Sequence, residues 1–204
     1  MDRRHFLIGL PLALSACTVE EIWAPDDVVA RAIYRGDGPK HLTLYTMLNV
    51  GSDNGAHTSL LVDASHRVIF DPAGSFKQSR IPERNDVLFG ITPQFEQFYI
   101  SYHARSTYYV VGQRIEVEPE IAERALILAL ANGAVPKAGC TRATSRLLRQ
   151  LPGFGGLRQT IFPDKLMKDF ATLPGVVTRE YREDDDDDKS IAAAQINAAL
   201  RTTP

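Results

Sequence analysis

HTSLLVDASHRVIFD, residues 57 to 71, holds two apolar runs around a short polar connection at Ala64 to His66. Period-two alternation on both sides of so short a turn predicts an antiparallel hairpin. Thr58, Leu60 and Val62 then share one face, and His57, Ser59, Leu61 and Asp63 the other. A register that sets Asp63 opposite Arg67 makes His57 and Asp71 diagonal neighbours on one face, about 7–8 Å apart at the backbone. At that separation a carboxylate can orient an imidazole. Asp71 also precedes Pro72, where a turn-capping aspartate is common.

Working outward, HLTLYTMLNV (residues 41–50) reads as a preceding strand and GSDNGA as the polar loop between them. Upstream, Asp26 or Asp27 is placed to cap a helix whose apolar face is Val28, Val29, Ala32 and Ile33. Downstream, Thr92 caps and Pro93 opens a helix with Phe95, Phe98, Tyr99 and Tyr102 on one side. STYYVVGQRIEV is a further strand. The helix begun by Pro119 and closed by Asn132-Gly133 is apolar nearly all round, which predicts deep burial. The segment FPDKLMKDFATLPG is a short Pro-started helix, and VVTREYRE an edge strand. Asp184 to Asp188 reads as a solvated acidic linker, within residues 183–189, before a last helix. Helices, hairpin and strands in this mixture predict an α+β domain with an antiparallel sheet packed against helices.

The chain has 204 residues, 44% of them apolar, enough for one domain spanning residues 26–204. Its 23 basic and 25 acidic residues are interspersed, which argues against a nucleic-acid partner. Residues 1–16 have Arg3 and Arg4, then a short apolar run from Phe6 to Leu14, as an export signal does. Leu14-Ser15-Ala16-Cys17 resembles the lipobox of bacterial lipoproteins, which implies cleavage before Cys17, a lipid on its thiol, and a membrane-tethered domain following residues 17–25. The alternative is an uncleaved N-terminal anchor. Arg3-Arg4 with His5-Phe6-Leu7 also resembles a twin-arginine signal, with Asp2 where a serine is usual.

With Cys17 lipidated, Cys140 is the only thiol left. Such a thiol is buried and inert, paired with another chain, or reactive. GCTRATSRLL, residues 139–148, puts it at a helix start, where unpaired N–H groups and the helix dipole favour the thiolate. It also lies on the apolar face with Ala143, Leu147, Leu148 and Leu151, which suits a buried structural thiol equally. Elsewhere, His103 reads as a helix-terminal histidine meeting dipole or solvent, and His41 and His66 as strand-edge and turn residues. No spacing suggests a metal site, and no cofactor motif is present.

AHTSLLV, then VIFDPAG, and much later GCTRATSRLL resemble the circularly permuted papain-like cysteine hydrolases, relatives of bacterial NlpC cell-wall peptidases and of lecithin:retinol acyltransferase. The likeness spans roughly residues 41–151. In that group the histidine strand precedes the cysteine helix, and a small or polar residue such as Thr141 follows the cysteine. The resemblance implies that Cys140 is the nucleophile, His57 the general base and Asp71 the polar third member. In relatives this third position is often His or Glu. A side-chain oxyanion donor is not recognisable, and the Cys140 N–H supplies one backbone donor. The expectation is a lipid-anchored envelope protein facing the periplasm, acting on a cell-wall peptide or lipid-like amide or ester. The alternatives are a non-catalytic lipoprotein that binds peptidoglycan or a partner protein, and a redox or intermolecularly paired thiol.

Overall fold

A computed structural model of the protein describes residues 21–76 and 78–202. The expected signal sequence and Cys17 lie outside the described residues. Among the described residues, seven strands form one antiparallel sheet in the order β4-β5-β3-β2-β1-β6-β7. They are β1 (His41–Asn49), β2 (Gly55–Asp63), β3 (Arg67–Phe70), β4 (Glu83–Arg84), β5 (Val87–Phe89), β6 (Tyr108–Glu116) and β7 (Val177–Tyr181). The helices are α1 (Asp26–Ala32), α2 (Pro93–His103), α3 (Pro119–Leu130), α4 (Cys140–Leu148), α5 (Pro163–Phe170) and α6 (Lys189–Thr202).

The hairpin pairs Asp63 with Arg67 and Leu60 with Phe70, the register that parity requires for His57 and Asp71 to share a face. Both faces of the sheet carry a packed core. Leu42, Leu44, Leu60, Val62, Val68 and Phe70 pack under α3, α4 and α5. Tyr45, Met47, Leu61, Ile69 and Val110 pack under α2 and α6. Leu60, Leu61, Val62, Val68, Ile69 and Phe70 are fully buried, each stabilising by about 1.5–3 kcal/mol. A one-residue slip would exchange the two cores and is thereby excluded.

Several elements match the expectations closely. Thr92 accepts a hydrogen bond from the Phe95 N–H at 3.2 Å, with Pro93 in the first turn of α2. β7 lies at the sheet edge. Others differ. α1 begins after Pro25 without a side-chain cap, because Asp26 is drawn to Arg84 (2.6 Å) and Asp27 to Arg31 (2.8 Å). α3 buries only the face carrying Ala122, Ala125, Leu126 and Ala129, and Ile127 stays 58% exposed. His41 is not at an edge: β1 is a central strand, and the histidine is buried.

Two irregularities shape the sheet at the His57 end. Met47 pairs with His57 and Leu48 with Gly55, so Ala56 is an unpaired bulge beside the histidine. Gly55 lies where a Cβ would meet the Pro163 Cβ at 2.6 Å, so the start of α5 closes directly on the strand.

Candidate functional site

β3 stops at Phe70, opposite Leu60, while β2 continues back to Gly55. The outer edge of β2 from Ser59 to Gly55 therefore has no strand neighbour, and the first turn of α4 occupies it. Thr141 Oγ1 lies 3.2 Å from Thr58 Oγ1, and the Thr58 backbone hydrogen-bonds Cys140. At this edge the thiol and the His57 ring lie near enough for each to shift the other's titration. Gly139 precedes the cysteine because a Cβ there would meet the Val135 Cγ1 at 2.6 Å and the Pro136 oxygen at 2.8 Å. Ala138 before it takes a left-handed backbone, φ 62°.

His57 and Asp71 meet as the diagonal geometry predicts, with Nε2 2.7 Å from Asp71 Oδ1. Nε2 is committed to the carboxylate, which leaves Nδ1 as the ring nitrogen available to the Cys140 sulfur. The structure thus brings all three sequence-predicted residues into one chain of contacts.

Asp71 is held from several sides. Tyr99 Oη lies 2.7 Å from Asp71 Oδ1 and 2.8 Å from Ser59 Oγ. An ionised carboxylate only accepts, so the tyrosine proton goes to Asp71, and Ser59 donates to the tyrosine. A Cβ at Gly74 would overlap the Asp71 carboxylate, so the turn after β3 fits only with glycine there.

These contacts set the charges. Burial disfavours the Asp71 carboxylate, but His57, His103 and the Tyr99 hydroxyl outweigh it and hold its pKa at about 2. Burial likewise opposes the imidazolium at His57. Asp71, with the Cys140 sulfur, overcomes it and raises the ring to about 10. The thiol is pushed up by burial and pulled down more strongly by His57, the Thr141 hydroxyl and the Thr58 backbone, to about 7. At neutral pH a thiolate–imidazolium pair is therefore substantially populated, and the start of α4 favours the anion further.

Two neighbours were not legible as site residues. His103 is 7% exposed, not solvated, and its ring stacks on His57 at 6.1 Å between centroids. Nδ1–H donates to the Tyr99 carbonyl at 2.8 Å, and burial lowers the ring to about 4, so it stays neutral. Tyr99 and His103 stand one turn apart on α2. That i, i+4 spacing on the buried face was the available signal.

The acidic run also differs from its expectation. It is exposed, but it is a fastened strap and not a free linker. Glu183 accepts from Ser101 Oγ (2.7 Å), Asp185 from Arg105 (3.2 Å), and Asp187 from the Thr107 N–H (3.0 Å) and hydroxyl. Lys189 continues it with a bond to Ser75 Oγ at 3.1 Å. Together strap and sheet enclose a cavity of about 390 Å³ bounded by His57, His103, Gly74, Arg105, Asp187 and Lys189. Cys140 is 8% exposed and is not on that wall. Among the described residues, no group of three or more His, Cys, Asp or Glu side chains could hold a metal ion.

No family model matches the chain, and neither a curated protein nor a solved structure matches it.

Proposed function

We propose that the protein is an envelope-anchored thiol hydrolase or acyltransferase of circularly permuted papain-like architecture, acting through Cys140, His57 and Asp71. The observation that carries the reading is the 2.7 Å pair of His57 with a carboxylate held ionised, beside a thiol that the same ring helps bring down to about 7. The order of elements agrees with the resemblance, since the histidine strand precedes the cysteine helix and the helix start abuts that strand.

In this mechanism the Cys140 thiolate attacks an amide or ester carbonyl, forming a C–S bond and a tetrahedral oxyanion that the Cys140 N–H stabilises. His57 Nδ1 gives its proton to the departing amine or alcohol as that bond breaks, leaving a thioester. The neutral ring then takes a proton from water, or from an acceptor alcohol or amine, which attacks the thioester and restores the thiolate. Asp71 holds the ring in the required tautomer and stabilises its cation. In this reading a lipid on Cys17, suggested by the lipobox-like start, holds the domain at a bacterial membrane, with cell-wall peptides or lipid-like acyl groups as substrates.

The test is turnover of a peptidoglycan stem peptide and of a short-chain aryl ester by the full chain and by Cys140→Ser, with mass detection of an acylated Cys140 peptide. Cys140-dependent release with an acyl adduct is expected. Absence of both would refute the enzyme.

A second reading, a non-catalytic lipoprotein binding peptidoglycan or a protein, is favoured by one observation: the sulfur is nearly buried and does not face the cavity beside His57. It predicts a Cys140 that resists alkylation at every pH.

A further inference from the structure

α2 covers only part of the face of the sheet that bears His57. The uncovered part, at the other end of the strands, carries a second cavity of about 380 Å³ that contains none of the thiol-site residues. Three arginines line it from three strands: Arg67 on β3, Arg114 on β6 and Arg179 on β7.

Their partners differ. Arg67 is 7% exposed and bonded to Glu96, with Asp63 3.8 Å from its Nε, and that Nε has no hydrogen-bond partner among the described residues. Arg114 has only a 3.4 Å contact to Glu116, between side chains 44% and 63% exposed, too solvated to hold it. Arg179 makes no ion pair or hydrogen bond among the described residues. Glu96 is thus occupied by Arg67 and Tyr45, and Asp63 stands 3.6–3.8 Å from Lys40, His41 and Arg67. Among the described residues, the Arg114 and Arg179 guanidiniums have no close carboxylate partner beyond that solvated Glu116 contact.

Strand pairing puts those two together. Arg179 is opposite Gly112, and Arg114 is opposite Val177, so the arginines are diagonal neighbours on one face. Like charges so placed repel, and a bound anion removes the cost. Gly112 forms the floor between them: a Cβ would meet Tyr45 Cε1 at 3.1 Å and Tyr181 Cε2 at 3.2 Å. At one end of the cavity the buried His41 has its pKa lowered by burial and by Arg114 and Arg67, against the Pro39 carbonyl and Asp63.

We propose that this cavity binds a phosphoryl group, carried by a small organic phosphate or by an anionic phospholipid headgroup, between Arg114 and Arg179. Two forked guanidiniums match a phosphate better than a single carboxylate, because each can bond two oxygens. The volume leaves room for the organic part against Tyr45 and Tyr181.

The experiment uses the full chain carrying Cys17→Ser, so that no lipid anchor contributes. Calorimetry with glycerol 3-phosphate and flotation with phosphatidylcholine vesicles, with and without phosphatidylglycerol, are run on this protein, on Arg114→Gln/Arg179→Gln and on the single Arg179→Gln. Both side chains are exposed, and Arg179 has no bond to lose, so the single variant keeps the fold. Binding should weaken by about tenfold or more in the double variant and fall with added salt, while Cys140 alkylation is unchanged. Arginine-dependent binding of glycerol 3-phosphate identifies a soluble phosphate, and arginine-dependent flotation with phosphatidylglycerol alone identifies the headgroup. No binding in either arm, or equal binding by the variants, overturns the proposal.

Discussion

Replacing His57 by alanine removes the two largest influences that lower the Cys140 pKa, its hydrogen bond and its charge, while the burial that raises it persists. The thiol should then titrate close to its ordinary value of 9.0 instead of about 7, burial opposing what Thr141 and the Thr58 backbone still contribute. At pH 7 the wild-type sulfur is about half thiolate and the variant sulfur about 1%, so alkylation should slow by about fifty-fold. The rates should converge as pH approaches 10. The assay is iodoacetamide modification from pH 5 to 10 on the full chain, followed by the mass of the Cys140 peptide so that other sites do not contribute. A wild-type midpoint near 9, a curve that His57→Ala leaves unmoved, or a sulfur that never reacts would refute the reasoning.

Other outcomes follow from the same geometry. Turnover should rise as pH passes about 7, where the thiolate forms, and fall as it passes about 10, where His57 loses its proton; a single limb centred near 9 would contradict the ion pair. Asp71 titrates below its ordinary 3.8, so it contributes stability above that pH and loses it as pH falls to about 2; thermal melts of Asp71→Asn should show a shallower acid decline than wild type. Tyr99→Phe leaves Asp71 and Ser59 each short of a buried partner and should cost about 1–3 kcal/mol in denaturant unfolding, with an unchanged melt counting against the network. His103 should titrate near 4 by NMR, with stability lost as pH falls from 6.5 toward that value; a midpoint near 6.5 would mean a solvated ring.

The His57–Asp71 pair was legible in the sequence because strand parity is local. Side chains alternate with period two, so one assumption about the turn fixes which residues share a face, and the observed Asp63–Arg67 pairing satisfies it. The Thr92-Pro93 helix start was legible for the same reason, since a cap and its N–H acceptor lie three residues apart. His103 was misread because its own helix says only that it lies near a C-terminus; its burial comes from packing against Phe76 and Tyr99 and against the His57 ring.

The acidic strap shows the same division. Composition marks five consecutive aspartates as exposed, which they are, but the partners that fasten Asp185 and Asp187 stand 80 residues away in sequence.

By itself the sequence determined the antiparallel hairpin, the helix start beneath Cys140 and the class of chemistry those residues suit, because each depends on spacing within a few residues. Only the tertiary structure decided that β3 ends early enough to open the edge of β2 to α4. The same holds for the seating of His103 and the strap around the cavity beside His57, and for the meeting of three arginines from three strands around one cavity. Those outcomes depend on long-range strand order, and contacts between residues far apart in the chain leave no periodic mark in it.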